Sequence, residues 1–121
     1  MSTITLADAL TLAAVCALSL LVAGFTRYRP PRHINLLYGY RTARSMRNAA
    51  TWQEANRYFA RYFWRLSWAL PLVAAAAAAL LGGRGALLVL LVVWIGGIVL
   101  GSVRTERQLQ LLFDDEGQRR S

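Results

Sequence analysis

The chain contains one cysteine, one histidine, six acidic residues and no lysine. A single thiol, Cys16, rules out a disulfide framework and a cysteine-based metal site, and its place in an apolar run makes it a small core residue. The lone histidine, His33, follows Arg32 in a polar stretch and supplies one donor where a metal site normally needs three or four. Proton relays and substrate-coupling sites inside membranes depend on acidic residues within the spans. Here only Asp8 comes near one, at its outer end, where it is expected to be hydrated. No nucleophile, base and orienting acid come together along the chain. The expectation is a non-enzyme with no cofactor and no metal, and not a proton-coupled transporter.

What the chain has in abundance is apolar surface and arginine. Of its 121 residues 56% are hydrophobic, yet the net charge is +8, a combination that fits an integral membrane protein better than a soluble basic domain. All fourteen positive charges are arginine, and nine of them fall between residues 26 and 65.

Three apolar runs stand out. Residues 6–25, "LADALTLAAVCALSLLVAGF", are long enough at about 1.5 Å per residue to cross a hydrocarbon core of roughly 30 Å. A signal peptide would carry positive charge before such a run. Here it comes after, at Arg27 and Arg29, which favours a retained helix. Residues 66–82 are alanine-rich and contain Pro71, so this run is marginal alone; residues 86–103 are strongly apolar. Only "GRG", Gly83 to Gly85, separates the two, which predicts a helical hairpin with its turn at those glycines. The expected architecture is a single all-α polytopic membrane domain over residues 1–121, with three transmembrane helices.

Arginine-rich loops stay cytoplasmic. With nine arginines in the central segment against Arg84 alone opposite, the amino terminus is expected outside a bacterial inner membrane, and the central loop and tail inside.

In that central segment Pro30 and Pro31 stop the first helix. "TWQE", Thr51 to Glu54, has the spacing of a capping box and predicts a helix start there. At 100° per residue Trp52, Ala55, Phe59, Phe63 and Leu66 share one face, and Arg57, Arg61 and Arg65 the opposite one. This amphipathic helix runs without a breaker into the second span. The stretch from Thr51 to Leu81 would extend roughly 46 Å, so its first turns must project beyond the bilayer core. Tyr58, Tyr62, Trp64 and Trp68 mark the headgroup level. Interleaved arginine and aromatic residues also suit single-stranded nucleic acid, but no soluble groove exists to present them, and no nucleic-acid partner is expected. Asn56 lies within the apolar face, where a buried amide needs partners, and the preceding loop is the nearest supply.

The stretch "INLLYGYRTARSMRNAATWQEANRYF" resembles the signature of the SdpI family of bacterial membrane proteins. The matching residues are Asn35, Tyr38, Gly39, Tyr40, Arg41, Thr42, Ser45, Met46, Asn48, Trp52, Ala55 and Asn56. The resemblance implies toxin-immunity chemistry. The family's namesake protects a Gram-positive cell from a secreted toxic peptide and also serves as a membrane receptor that sequesters a repressor. Beside it this chain looks like the carboxyl-terminal module alone, and the expectation is a short form without the extra amino-terminal spans.

The expected binding set is Asn35, Tyr38, Gly39, Tyr40, Arg41, Thr42, Ser45, Trp52 and Asn56. Arg41 offers a planar fork for phosphate or carboxylate, and Gly39 allows positive φ or close approach. Two readings follow. Either this loop forms an interfacial pocket for a lipid headgroup or the acidic end of a peptide toxin, or Arg41 pairs internally, for instance with Glu54, and holds the fold. Expected partners are membrane lipids, a peptide toxin or a regulatory protein, and a second copy of the chain through the small-residue face at Gly97 and Gly101. A structural or regulatory small membrane subunit is the alternative. The tail, residues 104–121, reads as a solvated terminus whose first turns continue the last helix.

Overall fold

The computed structural model describes residues 4–35 and 38–120; Leu36 and Leu37 of the motif stretch lie outside the described residues. Among the described residues the named elements are both helices: α1 (Leu6–Tyr28) and α2 (Ala49–Leu112).

α1 opens on a capping box in which Thr5 Oγ1 accepts from Asp8 N and the Asp8 carboxylate accepts from Thr5 N. It closes at Arg29, just before the Pro30–Pro31 pair, as the proline sterics demand.

α2 is one helical stretch only in name. Gly82 sits at φ 77, ψ −174, a conformation essentially confined to glycine, and the chain reverses there. The two limbs, 49–81 and 83–112, run back along each other: Tyr62 Oη donates to the Gly97 carbonyl at 2.7 Å, and a Cβ on Gly101 would run into the Tyr62 ring. The hairpin agrees with the sequence pattern, but its turn is one residue earlier than "GRG". Gly83 to Gly85 are already helical. Gly83 serves packing instead, since a Cβ there would strike the Asp8 side chain.

The helix start also differs from expectation. α2 begins at Ala49, with Asn48 as N-cap and Thr51 as its reciprocal partner: Thr51 N donates to Asn48 Oδ1 at 2.9 Å and Asn48 N to Thr51 Oγ1 at 3.1 Å. Thr51 is thus the third helical residue rather than the cap, because its hydroxyl is also drawn to the Ser45 carbonyl at 3.0 Å. Glu54, released from capping, turns both carboxylate oxygens to Arg57 Nη2.

The buried seams follow helical spacing. α1 contributes Leu12, Cys16, Ser19 and Ala23, and the first limb Ala60, Phe63, Ser67, Leu70, Ala74 and Ala77. Small residues dominate, which lets the backbones approach closely. At mid-depth Ser19 Oγ and Ser67 Oγ lie 2.7 Å apart, and Trp94 Nε1 donates to Ser19 Oγ at 3.2 Å, so one polar knot joins α1 to both limbs. A lone serine in an apolar run is the sequence signal for such a knot.

The outward faces are apolar too. In the most apolar windows of α1 and α2 only 22% and 17% of residues are buried, so neither is the core helix of a water-soluble fold. By length and composition both helices can cross a membrane.

The tail is not simply solvated. The second limb continues to Leu112, and Phe113 is 1% exposed. Residues 113–119 then close a tight turn in which Arg120 N donates to the Leu112 carbonyl and Gly117 (φ 82) offers its carbonyl to Asn48 Nδ2 at 2.8 Å.

Candidate functional site

The motif becomes intelligible residue by residue once the loop is seen lying across the end of the helix bundle. Trp52, fully buried on the first limb, donates its indole N–H to the Pro31 carbonyl at 2.8 Å and so clamps the exit of α1 onto α2. One turn on, Asn56 Oδ1 accepts from Tyr40 N at 2.6 Å, and Asn56 Nδ2 donates to the Trp52 carbonyl at 2.9 Å and weakly to the Tyr40 carbonyl at 3.4 Å. The buried amide thereby does for Tyr40 what a neighbouring strand would do, satisfying both backbone groups.

Gly39 stands between these two anchors at φ 112. A Cβ there would meet Asn56 Oδ1 at 2.7 Å, Pro31 Cγ at 2.8 Å and Trp52 Cη2 at 3.3 Å. Glycine is needed for the dihedral and for the space.

The flanking residues make local turns. Asn35 Oδ1 accepts from Tyr38 N and its Nδ2 donates to the His33 carbonyl, while Tyr38 packs on Phe25 of α1 and donates its hydroxyl to the Arg29 carbonyl. Thr42 and Ser45 exchange backbone N–H to hydroxyl bonds at 2.8 and 3.1 Å, which closes a single turn leading to Asn48.

Tyr40 reaches furthest. Its ring packs near Phe59, and its hydroxyl donates to Glu106 Oε1 at 2.7 Å and to the Ser102 carbonyl at 3.1 Å, both on the second limb. Burial, then the hydrogen bond and negative charge of Glu106, push the phenol well above its ordinary range, so it stays protonated as a donor. Arg44 adds ion pairs to Glu106 at 3.6 Å and to Asp115 at 3.5 Å. Sequence reasoning missed both Glu106 and Arg44. The available signal was that Glu106 is the sole acid in the second limb's polar end, flanked by Arg104 and Arg107.

Every residue of the expected binding set therefore lies in one assembly, and most of them place a side chain or backbone in its internal packing. Arg41 belongs to the same assembly: it has an interaction within the chain, and the residue is exposed beside the loop.

Among the described residues, two of the basic clefts beside this assembly lie along the first limb of α2. One, of about 480 Å³, lies between the limbs of α2 and is lined by Arg57, Arg61, Arg65 and Arg104 with Tyr58, Tyr62 and Leu66. The other, of about 320 Å³, lies where α1 and the proline pair meet the first limb. It shares Arg57 and Arg61 and adds Arg27 and Arg32. The chemistry available in both is that of guanidinium groups, which bind oxyanions. Gly97 and Gly101, expected as a face for a second copy, receive Leu66 and Tyr62 of the same chain.

Comparison with known proteins places this assembly in a family. The family model described as the SdpI/YfhL protein family matches residues 32–102, from the loop through most of the second limb. The YfhL protein of Bacillus subtilis (strain 168) is 36% identical over 92 residues, covering 76% of this chain and 79% of that protein. No solved structure is similar. The matched region holds the clamp at Trp52, the Asn56 tie, Gly39 and the Tyr40 reach to the second limb, and with them the chain belongs to the SdpI/YfhL family, whose apolar helices mark a membrane protein.

Proposed function

We propose that the chain is a three-span protein of the bacterial inner membrane that gives resistance to a membrane-active peptide, without catalysis, by binding the peptide or a lipid at the cytoplasmic interface. The reversal at Gly82 supports three apolar legs within two helices. The nine arginines between residues 26 and 65, against Arg84 alone at the hairpin turn, support a cytoplasmic loop and tail and an external amino terminus. In a topology test, a membrane-impermeant thiol reagent is expected to reach Arg84→Cys from outside and Arg41→Cys only after the membrane is opened. Cys16 is buried and stays silent in this assay. Labelling in the reverse order would refute the orientation.

The observation that carries the functional reading is the division of labour within the motif. Asn35, Tyr38, Gly39, Tyr40, Thr42, Ser45, Trp52 and Asn56 build a fixed platform, and Arg41, itself held by an interaction within the chain, is exposed beside it. A guanidinium held this way is pre-organised for a carboxylate or phosphate. The alternative, a structural or regulatory small membrane subunit, draws on the same fact, since so many motif side chains are used internally.

Arg41→Lys separates the two, because lysine keeps the charge and loses the bidentate fork. In a peptide-sensitive strain expressing the chain, the substitution is expected to reduce protection about tenfold, the loss of one charge-assisted hydrogen bond, at unchanged protein level. Full protection would remove the ligand role of Arg41. A collapse in protein level would favour the architectural reading.

A further inference from the structure

The cleft between the two limbs of α2 has a composition that the motif assembly does not explain. Arg57, Arg61 and Arg65 recur every fourth residue on the first limb, a stripe about 12 Å long, and Arg104 closes over it from the second limb. All four are exposed. Among the described residues, none of these arginines shares in the bonds that hold the loop, and Arg57 alone is neutralised, by Glu54. The other carboxylates found in salt bridges, Glu106 and Asp115, are committed to Arg44. Three guanidiniums thus face one groove with no counter-charge of their own in its lining.

The groove is also amphipathic along its length. Its lining passes from Arg57 and Tyr58 at one end to Arg65 and Leu66 at the other, where the first limb turns apolar. On the second limb Leu100, one turn before Arg104 and on the same face, is apolar and 49% exposed. An occupant must therefore be polyanionic at one end and apolar at the other. A free phosphate satisfies only the first condition, and an acidic peptide would leave the apolar flank uncovered.

We infer that this groove binds the headgroup of a phospholipid carrying two phosphates, with its acyl chains lying along the exposed flank of the second limb. Two phosphates offset most of the three unpaired positive charges, whereas a single phosphate leaves two. Basic pockets between helices on the cytoplasmic side of a membrane are suited to such headgroups. The inference rests on the three-span placement proposed above, although its test does not.

The full chain, purified in detergent, is titrated with cardiolipin, phosphatidylglycerol or phosphatidylcholine, and bound lipid is counted by native mass spectrometry. One cardiolipin is expected to bind about tenfold more tightly than phosphatidylglycerol supplied at equal phosphate, with no retention of phosphatidylcholine. The double substitution Arg61→Gln/Arg104→Gln is expected to weaken cardiolipin about 30-fold, each arginine beside an anionic headgroup being worth roughly fivefold in affinity. Arg84→Gln, at the far end of the hairpin, is expected to change nothing. The two groove positions are exposed, and an unchanged melting temperature shows that the double variant is folded.

Equal binding of cardiolipin and phosphatidylglycerol, or an equal loss with Arg84→Gln, overturns the inference. Displacement of the lipid by an equimolar amount of inorganic pyrophosphate or of an acidic peptide also overturns it, by making the ligand a soluble anion. Because binding is read in micelles, a negative result here leaves the resistance reading and the topology to their own tests.

Discussion

Gly39→Ala is expected to destabilise the protein by roughly 3–5 kcal/mol, a loss at the upper end of what single substitutions produce. Two costs combine. The backbone at φ 112 is one that an L side chain rarely adopts, which alone costs about 1–3 kcal/mol. The new methyl would then sit 2.7 Å from Asn56 Oδ1 and 2.8 Å from Pro31 Cγ. Neither neighbour can withdraw freely. Asn56 is fixed by its bonds to Tyr40 and Trp52, and Pro31 is held through its carbonyl by the Trp52 indole. Relief of the clash must therefore come from lifting the loop, which also breaks the Tyr40 contacts to the second limb. Thermal unfolding of the purified chain in detergent measures the effect, with the buried Trp52 as part of the fluorescence signal. A change of less than about 1 kcal/mol would mean that the loop does not depend on this close approach.

Asn56→Leu is expected to cost about 2–4 kcal/mol by a different route, since each buried polar group left unpaired costs roughly 1–3 kcal/mol. The side chain keeps nearly the same volume, so the packing survives, but the Tyr40 N–H and carbonyl lose the amide that satisfies them. Amide hydrogen exchange gives the most specific readout: the Tyr40 amide is expected to lose protection while amides in the middle of α1 keep theirs. Asn56→Asp is a useful companion, because it retains the acceptor for Tyr40 N and removes the donor. A smaller loss in this variant than in Asn56→Leu is expected. Unaltered Tyr40 protection in Asn56→Leu would show that the amide is not the tie between loop and helix.

Both substitutions bear on why the motif reads ambiguously. Tyr, Gly, Arg, Thr and Asn in a loop are the residue types of a binding site and equally those of a backbone that has no neighbouring strand to satisfy it. The pattern in sequence is the same in either case. Only the positions of the partners separate them, and here Tyr40 and Asn56 are sixteen residues apart, while Tyr40 and Glu106 are 66 apart. Contacts at such separations leave no periodic trace.

The corrections to the fold have a similar origin. Asn48 and Thr51 are both good N-caps. The Ser45 carbonyl, which engages the Thr51 hydroxyl, and the Gly117 carbonyl from the tail, which engages Asn48, settle the choice between them. Likewise glycines at 82, 83 and 85 could each make the hairpin turn. Packing selects Gly82, because it places Leu66 against Gly97 and Tyr62 against Gly101, and because Gly83 is needed where α1 brings Asp8 close. The tail, read as solvated from its charge, folds back because Phe113 finds a buried place beside Tyr40, Ala55 and Leu109.

By itself the sequence determined the helical class, the apolar stretches, the stop at the proline pair, the amphipathic face of the first limb and the segregation of arginine. These follow from local composition and from a period of 3.6 residues, which any reader of the chain can lay out. The tertiary structure alone decided which glycine turns the hairpin, which residue caps α2, and that most of the motif is spent on holding a loop to a helix. It also brought Arg104 over the stripe of Arg57, Arg61 and Arg65. Those outcomes depend on antiparallel limbs meeting at one register, and register is a property of packed surfaces rather than of neighbours in the chain.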